Sequence, residues 1–360
     1  MKAVILAGGE GTRLRPLTCN VPKPMVPILN RPFLEHMLSH LSGHGVDHAI
    51  LTMWYLPDVI RSHFGHGEGL GLRLSYTLEE QPLGTAGAVK NVESELDGPF
   101  LVLNGDIFTD LDLGAMIRFH RESGAMVTIA LTQVEDPSAF GVVDMDESGR
   151  VSRFVEKPPP GEAPSNWINA GTYLIEPDAL AHAPGGEHYM FERGLFPKLL
   201  EMGAPVYGYR SSAYWADLGT PASYARVHRD MLPSAGPVAG HDASGVHASA
   251  KLSGPVLLGK GCAIGPDAEV YGPVVMGAGC RVGEGAVVRD AILWREVDVG
   301  RGAELDACIV GDSVSVGAGA TVGAGCIVGD GARIGSGNRM ERGMVLWPGV
   351  SIQPEAVSFR

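Results

Sequence analysis

Hydrophobic and polar positions follow one rhythm over residues 1–232 and another over residues 244–360. In the first part, apolar runs of strand length alternate with stretches whose apolar residues recur three and four positions apart. AVILAG (3–8), HAILTMW (48–54), LRLSYTLEE (72–80), PFLVLNGD (99–106) and AMVTIALTQV (125–134) predict strands. PFLEHMLSHLSGHG (32–45), PDVIRSHFG (57–65), TAGAVKNVES (85–94) and DLGAMIRFHRESG (112–124) predict helices between them. Strands separated by helices in this way predict an α/β fold with a doubly wound, mostly parallel sheet. Such sheets bind ligands beyond the carboxyl ends of their strands. The loops after AVILA and FLVLN are therefore the places to look for a site. A further helix is predicted at YMFERGLFPKLLEMG (189–203), its aromatic and Met side chains on the core face.

In the second part a large apolar residue recurs at every sixth position, from Val246, Leu252 and Leu258 through Val288 to Trp294. The register slips by one at Val299 and Leu305 and again at Val310, then runs on to Ile352. Glycine often follows directly. This period predicts a parallel β-helix of hexapeptides, in which the apolar residue fills a narrow prism and glycine turns the corner. The residue two positions earlier must also point inward and be small. Cys262, Cys280, Cys308 and Cys326 stand there, so four of the five cysteines read as buried filler. Residues 233–243, rich in Pro, Gly and Ala, read as the linker between a domain at 1–232 and one at 244–360.

Composition narrows the function. A hydrophobic content of 45% over 360 residues suffices for two cores. The net charge of -13 argues against nucleic acid polymers and anionic membranes as partners. Small nucleotide anions can still bind through local cations and backbone amides. No apolar run reaches the roughly 18 residues that span a bilayer. The N-terminal run ends after Ala7, too short for the core of a secretion signal. A cytoplasmic location is expected. Five cysteines without a C-x-x-C pair predict neither a disulfide framework nor a zinc site. His36 with His40, and His63 with His66, read as solvated side chains, since no H-E-x-x-H accompanies them.

The first loop, AGGEGTRLRPLT (7–18), follows a strand and brings backbone amides to where phosphate oxygens could sit. A dinucleotide fingerprint starting at Gly9 would need glycine at position 14, which holds Leu14, and Pro16 interrupts the helix it requires. The stretch GPVLLGK (254–260) approaches a Walker loop, but Gly261 follows it and it lies within the hexapeptide repeat. Arg13 can grip a pyrophosphate in bidentate fashion. Lys23 stands between Pro22 and Pro24, which hold it extended. Asp106, at the end of a core strand, and Asp217, in YWADLG, are carboxylates able to hold Mg²⁺, which takes few protein ligands and keeps room for phosphate oxygens. Gln81 in QPLGTAGA offers donors and acceptors to a base edge, and Gly84 lets a base lie against the backbone. Glu156 and Lys157 are adjacent in FVEKP, so both face one ligand only if the chain turns there.

These motifs resemble those of the sugar-1-phosphate nucleotidylyltransferases. AGGEGTRLRPLT with PKPM, LNGDIFTD (103–110), FGVV (140–143), FVEKP (154–158), INAGTYLIE (168–176) and YWADLGTP (214–221) look like that family's blocks, in its order. The resemblance covers the first 230 residues or so. The hexapeptide tail resembles the left-handed parallel β-helix that follows a Rossmann-like sheet in longer members. It implies a nucleotide cradle made of Leu6, Ala7, Gly8, Gly9, Gly11, Thr12 and Arg13, with Gln81, Gly84 and Thr85 at the base. It also implies a sugar-phosphate pocket of Gly141, Glu156, Lys157, Asn169 and Gly171. Asp106 and Asp217 would hold the catalytic Mg²⁺, and Arg13, Lys23, Asp106 and Lys157 would carry the chemistry. The implied reaction joins a nucleoside triphosphate to a sugar 1-phosphate and releases pyrophosphate. PLGTAGA, INAGTYLIE and WPGV most resemble enzymes of bacterial type that use GTP and mannose 1-phosphate. Glucose-1-phosphate enzymes using dTTP, UTP or ATP share most blocks and form the alternative. A hexapeptide acyltransferase is a remote one, because the coil holds only His241 and His247, both at its start. A non-catalytic regulator is another. A homo-oligomer, dimer or tetramer, formed through the β-helix is expected.

Overall fold

A computed structural model describes residues 1–232, 239–240, 243–341 and 343–357. Most of the expected linker, 233–238 and 241–242, lies outside the described residues. In chain order the first elements are β1 (Lys2–Leu6), β2 (Pro27–Ile28), β3 (Arg31–Pro32), α1 (Phe33–Gly43), β4 (His48–Met53), α2 (Pro57–Phe64), β5 (Arg73–Leu78) and α3 (Gly84–Lys90). Then come β6 (Phe100–Asn104), β7 (Ile107–Thr109), α4 (Leu113–Ser123), β8 (Val127–Gln133), β9 (Gly141–Met145), β10 (Val151–Glu156) and β11 (Trp167–Ile175). α5 (Phe196–Glu201), β12 (Val206–Arg210), β13 (Trp215–Asp217) and α6 (Pro221–Met231) follow. Two compact units result. One comprises Met1–Glu10, Pro22–Met25 and Leu34–Leu218; the other comprises Gly11–Val21, Val26–Phe33 and Gly219–Arg360. In these units α6 and two N-terminal pieces belong with the coil.

The first unit is built on one sheet with the path β10-β9-β11-β6-β1-β4-β5, to which β8 and β12 add beside β11. β1, β4, β5 and β6 are parallel, as expected. β4 is buried along its whole length, its apolar Ala49–Leu51 flanked by buried His48 and Thr52. β11 enters antiparallel between β6 and β8, and β9 and β10 are antiparallel as well. The sheet is therefore mixed rather than mostly parallel. The reason is local: no helix separates β8 from β9, β10 and β11, and without a crossover the chain returns antiparallel. The helix expected at 189–203 begins as a wider π-turn, Phe191–Leu195, and continues as α5. Phe191 and Phe196 are buried, but Met202 is 55% exposed, so it does not join the core face.

In the second unit, three parallel sheets of seven, six and six strands run along the repeat. Their inward side chains, such as Ile264, Val282 and Val322, form one continuous core. Cys262, Cys280, Cys308 and Cys326 are buried in it as small filler. One expectation needs correction. The inward residue of its coil is Leu293, stacked between Met276 and Val310, not Trp294. Trp294 points outside the prism, where its indole N–H donates to the Tyr224 hydroxyl at 3.0 Å. Asn338 takes a small-residue position near the end and is fully buried. Its amide donates to the carbonyls of Gly335 and Gln353 and accepts from the Val357 N–H, so no polar atom is stranded. The N-terminal pieces of this unit are fastened the same way. Asn20 donates to Asp330 at 3.3 Å and Asn30 to the Met276 carbonyl at 2.8 Å. No helix among the described residues is long and apolar enough to cross a membrane.

Candidate active site

β1 lies between β4 and β6, and β6 follows β5 in sequence on the opposite side of β1. The chain therefore switches direction at β1 and β6, which opens a crevice beyond their carboxyl ends. A cleft of about 330 Å³ occupies this place. Leu6, Ala7, Gly8 and Gly9 line it from the first loop, Lys23 from the proline-flanked turn, Gly84 and Thr85 from the start of α3, and Asp106 from the end of β6. Eight residues expected from the sequence are thus brought together. Gly105 lets the two loops meet: its N–H donates to the Leu6 carbonyl at 3.0 Å. Gly84 is held at φ +72°, and a Cβ there would lie 2.7 Å from the Tyr189 carbonyl oxygen.

Lys23 and the two aspartates form the charged centre. The short antiparallel pair of β13 with β7 sets Asp217 opposite Ile107, and the Leu218 N–H donates to the Asp106 carbonyl at 2.9 Å. The Lys23 ammonium lies 2.8 Å from Asp106 and 4.0 Å from Asp217, its side chain only 8% exposed. Two carboxylates thus converge on one cation. Beside them in the cleft, the carbonyl oxygen of the Asn104 side chain is buried and makes no hydrogen bond. This oxygen-rich donor set fits a hard divalent cation that keeps several positions for water and phosphate.

Of the residues expected to meet a base, one is placed differently from expectation. Gln81 is exposed and does not line the cleft. Glu79, two residues earlier, lines it instead, with Thr52 and Trp54. Glu79 is buried and accepts the Leu83 N–H at 2.9 Å. Burial raises its pKa, and the hydrogen bonds from Leu83 and Thr52 oppose the shift.

Among the residues expected to hold the sugar phosphate, none of which lines the cleft, Lys157 sits at φ +51°, so the chain does turn after β10. The Glu156 and Lys157 side chains then approach to 3.8 Å. Gly141 leaves room for them: a Cβ there would lie 2.9 Å from the Glu156 carboxylate. Burial, and then the negative charge of Glu192, push the Glu156 carboxyl upward in pKa. Asn169 accepts the Gly171 N–H at 2.9 Å and donates to the Tyr173 hydroxyl at 2.8 Å. Gly171, at φ +72°, fits against the Asn104 amide, where a Cβ would lie 2.8 Å away.

Gly11, Thr12 and Arg13 belong to the second compact unit. Gly11 is left-handed and caps the turn Thr12–Leu14, on which Thr12 and Arg13 are exposed. The Thr18 hydroxyl fastens this turn by donating to the Gly11 carbonyl at 2.8 Å. Sequence reasoning missed Glu79, Asn104 and Glu192. Of these, only Asn104 had a signal, being the last residue of the strand that delivers Asp106.

Comparison with known proteins agrees with this geometry. The family model described as Nucleotidyl transferase matches residues 2–234, and the EIF2B subunit epsilon LbH domain, a left-handed β-helix, matches residues 240–357. The mannose-1-phosphate guanylyltransferase of Mycobacterium tuberculosis (strain ATCC 25618 / H37Rv) is 41% identical over 274 residues, which are 73% of this chain and 76% of that protein. The UTP–glucose-1-phosphate uridylyltransferase of Synechocystis sp. (strain ATCC 27184 / PCC 6803 / Kazusa) is 34% identical over 332 residues, covering 85% and 86%. Among solved structures, HddC from Yersinia pseudotuberculosis is similar with a TM-score of 0.56 and 31% identity, over 64% of this chain and 98% of that one. HddC is also known complexed with GMP-PN. From the switch-point cleft, the charged centre and these matches, the chain belongs to the nucleotidyl transferase family, with a left-handed β-helix after its enzyme domain.

Proposed function

We propose that this enzyme condenses GTP with mannose 1-phosphate to give GDP-mannose and pyrophosphate. Lys23, placed between Asp106 and Asp217 in the cleft, supports the reaction class. Both substrates are anions, so the work is alignment and charge neutralisation rather than covalent catalysis. The sugar phosphate oxygen attacks the α-phosphorus in line, and pyrophosphate leaves on the opposite side. Loop amides of Gly8 and Gly9, which line the cleft, cradle the triphosphate. Lys23 and Lys157 hold the attacking phosphate and the charge that builds at phosphorus. Glu156 and Asn169 receive sugar hydroxyls. Asp106 and Asp217 would hold Mg²⁺, which when bound supplies Lewis acidity to phosphate oxygens.

Glu79 supports the choice of guanine. A guanine edge presents two adjacent N–H donors, and a carboxylate accepts both in parallel. A uracil or thymine edge offers one such donor between acceptors, which a carboxylate meets poorly. The guanylyltransferase relatives point the same way. Glu79→Gln should therefore lower kcat/KM for GTP by about 10- to 100-fold, the scale of a charged hydrogen-bond pair, and change that for UTP far less. Equal losses with both nucleotides would remove the base-reading role.

The decisive experiment measures pyrophosphate release from five nucleoside triphosphates against mannose, glucose, galactose and N-acetylglucosamine 1-phosphates, with Mg²⁺ and with EDTA. One dominant, EDTA-sensitive response with GTP and mannose 1-phosphate is expected. A dominant response with UTP and glucose 1-phosphate would replace the pair with the one carried by the Synechocystis relative. The expected homo-oligomer is a proposal as well. Val345, Trp347 and Val350 are exposed large hydrophobics on the coil, and light scattering reads the mass.

A further inference from the structure

The cleft and the proposed sugar side are joined by a buried polar chain whose middle members, Glu192 and Tyr173, the proposed reaction does not use. Thr85, at the start of α3, lines the cleft. Its hydroxyl accepts the Phe191 N–H at 2.9 Å and donates to one oxygen of Glu192 at 2.9 Å. The other Glu192 oxygen accepts the Tyr173 hydroxyl at 3.2 Å. The Tyr173 oxygen in turn accepts from Asn169. Tyr173 is fully buried and Glu192 is 8% exposed. Main-chain bonds brace the same place: Ala86 and Gly87 donate to the Tyr189 carbonyl, and Tyr189 donates to the Leu83 carbonyl. The π-turn Phe191–Leu195 carries Glu192, and such widened turns recur at functional sites.

We propose that Glu192 is a positioning residue whose carboxylate holds the nucleotide side of the cleft, at Thr85, in fixed register with the sugar side, at Tyr173 and Asn169. The assignment rests on the two-substrate reading above. Its chemical logic is a proton count. Thr85 and Tyr173 each own one hydroxyl proton, and each oxygen already receives an N–H. Both protons must therefore find an acceptor, and only a carboxylate offers one to each. Glutamine has nearly the same size but turns an N–H₂ toward one of the hydroxyls. One buried hydroxyl proton then loses its acceptor, and the register between the two halves loosens. The charge also acts beyond the chain, since Glu192 helps to raise the Glu156 pKa.

The test is steady-state kinetics of Glu192→Gln and Tyr173→Phe with the substrate pair that the wild type converts, together with melting temperatures. Glu192→Gln should raise KM for the nucleotide and for the sugar phosphate, each by about tenfold, the equivalent of ~1.4 kcal/mol. Tyr173→Phe should raise KM for the sugar phosphate alone. The acid limb of the Glu192→Gln kcat/KM profile should move to lower pH, because Glu156 loses a neighbouring negative charge and ionises more readily. A purely structural role would lower the melting temperature without dividing the KM values in this way. Changes below twofold in either KM of Glu192→Gln, or an unmoved acid limb, would overturn the proposal. If Glu192→Gln does not fold, an unchanged sugar-phosphate KM in Tyr173→Phe overturns it. A wild type that releases pyrophosphate from no pair defeats the proposed reaction instead. GTP binding by calorimetry then reads the clamp: Glu192→Gln should bind about tenfold more weakly, and equal affinity overturns it.

Discussion

Replacing Lys23 with alanine is expected to lower turnover by at least about 100-fold, the scale of one preorganised electrostatic group. The ammonium is nearly buried and lies 2.8 Å from Asp106. Its loss removes the cation that faces the developing charge and leaves two carboxylates directed at one place. Mutual repulsion of Asp106 and Asp217 should then lower stability in the absence of divalent cation. Adding Mg²⁺ should raise the melting temperature of Lys23→Ala more than that of the wild type, because the metal replaces the missing counter-charge and binds only the folded chain. Asp106→Ala should show a similar loss of turnover but the opposite response, with little or no stabilisation by Mg²⁺. Full activity in either variant would remove the charged centre from the mechanism. A melting temperature indifferent to Mg²⁺ in every variant would remove the metal from Asp106 and Asp217.

Gly105→Ala should be nearly as damaging, although it adds a single methyl group. Gly105 stands just past β6, beside the end of the parallel neighbour β1, where its N–H meets the Leu6 carbonyl. A Cβ would press on the Leu6 carbonyl group and lie 3.3 Å from the Ala7 Cα. All three neighbours are backbone atoms of the cleft floor, so no rotamer change relieves the contact. The strands must part where both loops begin, which costs about 1–3 kcal/mol of stability. Asp106, the next residue, then moves away from Lys23, and misplacement by about 1 Å can cost 100-fold in rate. Gly43→Ala, at the end of α1 with open space around it, is the control and should change neither quantity. Urea unfolding with turnover on the same samples decides the matter. Unchanged turnover in Gly105→Ala would mean that the floor gives way without moving Asp106.

The residues that read clearly from the sequence share one property: their environment is set by neighbours close along the chain. The apolar run of β1 announces a buried strand, its glycines announce the loop, and the prolines around Lys23 announce a fixed cation. The hexapeptide rhythm is of the same kind, because each coil contacts only the next. Even there, Trp294 and Leu293 are adjacent and both apolar. The small residue needed two places earlier distinguishes them, since Ala291 precedes Leu293 whereas Ile292 precedes Trp294. Glu79 and Gln81 could not be separated, because both lie on the same side of an extended chain and only the turn into α3 decides which enters the cleft. Glu192 was hidden more deeply. Its π-turn breaks the helical phase, and its partners Thr85 and Tyr173 are distant in sequence. The antiparallel entry of β11 left a negative trace only, the missing helix signal after β8.

The anchoring of Asn20 by Asp330 sets a timetable. The two are 310 positions apart, and a ribosome adding about 5–20 residues per second makes the first long before the second. Thr18 closes the turn carrying Arg13 at once, but Asn20 must wait on the order of half a minute for its coil partner. A nascent chain can complete its central sheet well before Asn20 finds Asp330. The hold of the coil on this N-terminal piece should then appear late in synthesis, and limited proteolysis of a chain stalled near residue 300 should cut at Asn20 while sparing the folded sheet.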